Sequence, residues 1–170
     1  MKKQLVIGIF LMLVLTGISL MPSSPASTYL ITVNLIADHK TDIGDVKVSW
    51  SPDNISVQYI LVEHWYLLET DVQVGKTLSD FHLNPKGSPC PGKFLHKSFF
   101  EATDVVQNYT EIFRRPTGLK GEINTSARAI VYNSETGEIS TAWGDGTRFV
   151  PKGNFGTYFT YPLYLPLGYS

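Results

Sequence analysis

Two histidines and one cysteine, His82, Cys90 and His96, stand in the pattern H-x7-C-x5-H and are the residues of this chain best suited to hold a transition metal. Two imidazoles and a thiolate, with a weak axial thioether, make a blue-copper centre, and the same donors suit zinc. The gaps are wide for a compact ligand loop, and all three methionines (Met1, Met12, Met21) lie in the first 21 residues. A copper or zinc protein is therefore an alternative reading, and no cofactor is expected. Cys90 would serve as a nucleophile only with His82 or His96 poised as base and a third group orienting it. Pro89 and Pro91 place it on a stiff loop, where a packed thiol or a bond to a second copy of the chain is the plainer expectation.

Glu63 and Glu69 are the nearest pair of carboxylates for glycoside cleavage. Six residues of strand would set them on one face but about 20 Å apart. Asp42-Ile43-Gly44-Asp45 is too sparse for a calcium loop. The sequence holds no G-x-S-x-G, H-E-x-x-H, P-loop or dinucleotide-binding pattern. No catalytic residue is assigned, and a non-enzymatic role is expected.

Aromatic side chains offer a second kind of site. Trp143, Tyr158 and Tyr164, with Trp65 near in type, could stack against sugar rings, since amphipathic rings bind well while half exposed. The competing use of such residues is to pack a β core as cross-strand pairs. Three N-glycosylation sequons occur, at Asn54, Asn108 and Asn124. Lys plus Arg number 14 against 15 Asp plus Glu, and Arg114-Arg115, Lys40 and Lys47 form no basic stripe, so a nucleic-acid partner is excluded.

The chain must position these groups within 170 residues, of which 43% are hydrophobic, a length that suits one domain. A single cysteine excludes an internal disulfide framework. Residues 1–26 read as a secretory signal: Lys2-Lys3, the apolar run Leu5 to Met21, then Ser24-Pro25-Ala26 as a cleavage site. An uncleaved anchor is the alternative, because 17 residues is close to a membrane span. The remaining domain is residues 27–170.

Period-two alternation dominates that domain. Tyr29 to Ile36 and Val46 to Trp50 read as strands, and Ile55 to Leu68 reads as one long central strand, apolar on both faces. Asp71 to Lys76 and residues 94–100 are short strand candidates. Residues 84–93 form a Pro/Gly-rich loop. Ala127 to Tyr132 and Ile139 to Trp143 make a hairpin around Asn133–Glu138, and Phe155 to Leu165 is the last strand. Val105, Val106, Tyr109, Ile112 and Phe113 fall at helical spacing, with Thr103 as cap and Pro116 as stop, which predicts one short helix near 104–114.

The expectation is an all-β, mainly antiparallel domain, a single β-sandwich, immunoglobulin-like or related, of about seven or eight strands. Its expected role is non-catalytic binding or structure at the cell surface or after secretion, as a glycoprotein. Its partner would be a surface protein or polysaccharide. A membrane enters only through an uncleaved leader, and Cys90 or a sheet edge offers a route to self-association.

Overall fold

A computed structural model describes residues 29–163, which excludes the whole expected signal segment and Tyr164. Ten strands run in the order β1 (Tyr29–Ala37), β2 (Thr41–Trp50), β3 (Asn54–Leu61), β4 (Trp65–Gly75), β5 (His96–Phe99), β6 (Asn108–Arg114), β7 (Gly121–Asn133), β8 (Ile139–Gly144), β9 (Thr147–Arg148) and β10 (Thr157–Leu163). Eight form one antiparallel sheet in the order β5-β4-β7-β8-β1-β2-β3-β6. The sheet curls until its two edges, β5 and β6, face each other. The molecule is thus all-β, as expected, with a nearly closed barrel in place of two stacked sheets.

Two observations show the closure. Tyr59 on β3 reaches across the interior, and its hydroxyl lies 3.3 Å from the Asp71 carbonyl on β4 and 3.1 Å from the Arg128 carbonyl on β7. The seam is also stitched near the start of β6. Leu67 N–H on β4 donates to the Val106 carbonyl at 2.8 Å, next to Gln107, whose carbonyl accepts from Leu61 N–H on β3 at 2.8 Å. Elsewhere side chains bridge the seam. Ser98 and Tyr109 hydroxyls lie 2.6 Å apart, and Ser98 donates to Glu111 at 2.9 Å.

Alternation explains the interior. Val46, Val48 and Trp50 on β2, Ile55, Val57, Tyr59 and Leu61 on β3, and Ala127, Ala129 and Val131 on β7 are all buried at every second position. The long strand β7 pairs with β4 along one edge, and its other edge is shared between β8 and β10. Strand β10 turns Phe159, Tyr161 and Leu163 inward, and Tyr161 stacks on Trp50 with centroids 5.0 Å apart.

Two expected elements are different. Residues 108–114 are the strand β6, not a helix. Tyr109, Glu111 and Phe113 alternate against Ile112 and Thr110, and the strand pairs with β3 from Asn54↔Arg114 to Ile60↔Asn108. A full ladder satisfies every second backbone group, whereas an isolated helix of this length is marginal. Thr103 and Asp104 belong to a single 3-10 turn, after which Val105 adopts φ 48°. The run Ile55 to Leu68 is likewise two strands, broken where His64 takes φ 69°. That turn lets the chain leave β3 and cross to the far side of the seam as β4. Among the described residues no helix is long and apolar enough to cross a membrane.

Candidate functional site

The three metal candidates do not converge. His82 is exposed and its Nδ1 lies 3.1 Å from Gln73 Oε1 on β4. Cys90 is half-buried and meets His82 through the backbone, its N–H donating to the His82 carbonyl at 2.8 Å. His96 is opposite Val72 in the β4–β5 ladder, one residue from Gln73, so it points to the other face of the sheet. There its ring stacks on the buried Phe113 at 3.7 Å. Burial holds the His96 imidazole below its ordinary pKa, against the opposing charge of Glu111. Among the described residues no three His, Cys, Asp or Glu side chains gather as a metal-binding group.

Glu63 is exposed on the β3–β4 turn beside His64, 3.7 Å away, and Glu69 bonds to Arg128. Of the sequon asparagines, Asn54 is exposed at the head of β3, and Asn108 accepts a bond from Gln58 at 2.9 Å. Asn124 is tied twice, donating to the Lys76 carbonyl at 3.1 Å and accepting from Thr160 at 2.7 Å. Tyr158 is half-buried against Phe149, which packs on Phe81. Trp65 is half-buried at the start of β4, and Tyr164 lies outside the described residues.

Trp143 occupies the most informative position. It stands on the outer face of the barrel, yet only 7% of it is exposed. The ladders place it in a row crossing six strands: Lys97, Asp71, Arg128, Trp143, Ile36 and Asp42, on β5, β4, β7, β8, β1 and β2. One end of this row is ionic. Asp71 is fully buried between Arg128 and Lys97 Nζ, the latter at 2.7 Å, while Arg128 also donates to Glu69 at 3.1 Å. A carboxylate without water needs such partners.

Loops raise walls on either side of Trp143. On one side stands the β1–β2 turn, with Asp38 and His39. On the other stands the β9–β10 loop, with Asn154 and Phe155. His39 stacks on Phe155 with ring planes 18° apart, and the Arg148 guanidinium lies 4.3 Å from the Phe155 ring centre. Two cavities result, about 280 and 480 Å³ in volume. The first is bounded by Ile36, Asp145, Arg148 and Thr157, the second by Asp38, Pro91, Arg128 and Asn154. Trp143, His39 and Phe155 line both.

The electrostatics of the groove are mixed. Arg148 donates to the carbonyls of Gly153 and Asn154 at 3.3 Å, and its Nε is buried with no acceptor among the described residues. Loss of hydration lowers the His39 pKa, Asp38 opposes that shift and Arg148 adds to it. Aromatic planes beside planar hydrogen-bonding groups make a surface that can hold a polyhydroxylated molecule by stacking and by bidentate bonds.

Of the residues singled out from sequence, Trp143 alone floors this groove. His39, Phe155, Arg148, Arg128 and Asp71 were missed. Asp38-His39 as the link between two strands was the one local signal, because polar residues in so short a turn face outward. The rest follows from strand order, which no local pattern carries. No protein-family model, no curated protein and no solved structure matches this chain, so its function is read from the groove itself.

Proposed function

We propose that this chain is an exported, non-catalytic binding protein that holds its ligand in the outer-face groove over Trp143. The observation that carries this reading is a tryptophan kept on the outside of a barrel and walled in by loops. Core-packing tryptophans point inward, as Trp50 does, and a wall around an outward ring costs loop ordering that a ligand surface would justify. Export rests on the charged, apolar and small-residue segments of residues 1–26. A carbohydrate ligand is favoured over a protein partner by the aromatic planes of Trp143, Phe155 and His39 beside Asp38, Asp145, Asn154 and Arg148.

The test is a glycan array probed with wild-type protein and with Trp143→Ala, the fold of the variant verified by circular dichroism. Array binding by the wild type that falls at least tenfold in Trp143→Ala supports the reading. Equal binding by both proteins moves the site elsewhere. Fractionation of the producing cells tests export, and retention of the chain in the cytoplasm would contradict it.

A further inference from the structure

We infer that the His39–Phe155 stack is a displaceable partition, and that the groove takes an extended oligosaccharide spanning both cavities instead of a single sugar. This rests on the carbohydrate reading above and adds the length and the entry step.

Three observations carry it. The two cavities share Trp143, His39 and Phe155 as lining, which puts the stacked rings at their common boundary. Parting those rings would merge the cavities into one trough and uncover the indole face that the stack now shields. The outer ends of that trough carry hydrogen-bonding groups, Asp145 and Arg148 at one, Asp38, Arg128 and Asn154 at the other. A chain of sugars would meet both ends.

The second observation is backbone strain. Asp38 and His39 both have positive φ, 46° and 67°, in a turn closed by Lys40 N–H to the Ala37 carbonyl at 3.1 Å. Turns of this shape favour Asn and Gly, and an imidazole-bearing residue there is held at a conformational cost. Asp38 is anchored, accepting from the Ser140 hydroxyl at 2.7 Å, which fixes the turn against β8 and aims His39 across the groove. The third is the wall opposite. Phe155 remains 42% exposed despite stacking, and it sits in a loop that includes Gly153 at φ 93° and is hinged on the two-residue strand β9. Parting the rings breaks the stack between two loops and, if Phe155 moves, its contact with the Arg148 guanidinium, and it breaks no pair of the barrel ladders.

Uniformly 15N-labelled full-length protein gives three tryptophan indole N–H signals, and Trp143→Phe identifies the one from Trp143. A neutral gadolinium chelate in solution reports how close solvent comes to each. Phe155→Ala should raise the relaxation enhancement at Trp143 about threefold or more and leave Trp50 unchanged. His39→Gly, which suits the turn's backbone and preserves the fold, should do the same. Unchanged enhancement in both variants overturns the partition. On an array printed with oligosaccharides of two to ten units, wild-type signal should appear only for chains of three units or more. Equal signal for disaccharides overturns the extended-ligand inference while leaving the carbohydrate reading intact. Silence across the array for the wild type and both variants removes the carbohydrate reading itself, whatever the relaxation experiment shows.

Discussion

Asp71 shows how the barrel tolerates charge. It is wholly shielded from water and lies between Arg128 and Lys97. Removing Arg128 leaves the buried Asp71 with Lys97 alone, so Arg128→Met should be destabilising, up to about 3–5 kcal/mol in urea unfolding. Arg128→Met combined with Asp71→Leu should cost clearly less than the sum of the single changes, because the two side chains share one network. Tyr59 poses a neutral version of the problem. Burial pushes its phenol well above the ordinary range, with Asp71 adding to the shift, so the hydroxyl stays protonated and can donate across the interior. Tyr59→Phe should cost about 1–3 kcal/mol, since it strands the acceptors it leaves behind. His96 gives a pH dependence. Burial lowers its pKa in the folded state, so the unfolded chain binds the proton more readily. Its contribution is therefore present above about pH 6.5 and is lost as pH falls below that value. His96→Phe should flatten this part of the stability profile, measured by urea melts between pH 7.5 and pH 5. At this scale the sequence displayed the right residues without their partners. His96 and Cys90 looked like neighbours along the chain, and one step of strand parity sends His96 and the Gln73-bound His82 to opposite faces.

Elements were legible where pairing is local. The β7–β8 hairpin follows from its alternation and from Asn133, whose side chain accepts from the N–H groups of Glu135 and Thr136 at 2.9 and 3.2 Å and so shapes the turn. β6 was misread because Val105, Val106, Tyr109, Ile112 and Phe113 fit a 3.6 period as well as part of a 2.0 period, and only the partner strand β3 decides between them. The break at His64 was hidden for a related reason. A run with apolar residues on both faces reads as one central strand, yet here it supplies β3 and β4 on opposite sides of a seam. Gly44 is where the β2–β3 pairing is most sensitive. Its φ is 143°, and a Cβ there would meet the Ile60 carbonyl oxygen at 2.0 Å. Gly44→Ala should destabilise the protein by about 2 kcal/mol or more, seen as a lowered urea midpoint with an unchanged slope.

At the scale of the molecule, closure separates the barrel from the expected sandwich. Sequence patterning fixes which side chains face inward, and both architectures use the same alternation. The difference lies in where the sheet edges end up, and that depends on the long-range pairings of β3 with β6 and β4 with β7. The seam is the weakest part of the ring. Strand β5 is four residues long, and much of the closure beside it is made by the Ser98, Tyr109 and Glu111 side chains and by the stacking of His96 on Phe113. Native-state hydrogen exchange should therefore open β5 and β6 well before β7, β8 and β1, which are paired on both sides. Uniform protection across all eight strands would mean a continuous ladder around the barrel.

The outer groove sits far from that seam in strand order, on β8 and β1, which are joined from Leu35↔Gly144 to Ala37↔Ala142. A strand floor beneath movable loop walls is the arrangement on which the binding role depends. The most direct test follows the three indole N–H signals of Trp50, Trp65 and Trp143 while a glycan-array-positive oligosaccharide is titrated into the labelled protein. Saturable movement of the Trp143 signal, with Trp50 and Trp65 still, is the predicted result. Saturable binding in which the Trp143 signal stays in place would contradict it.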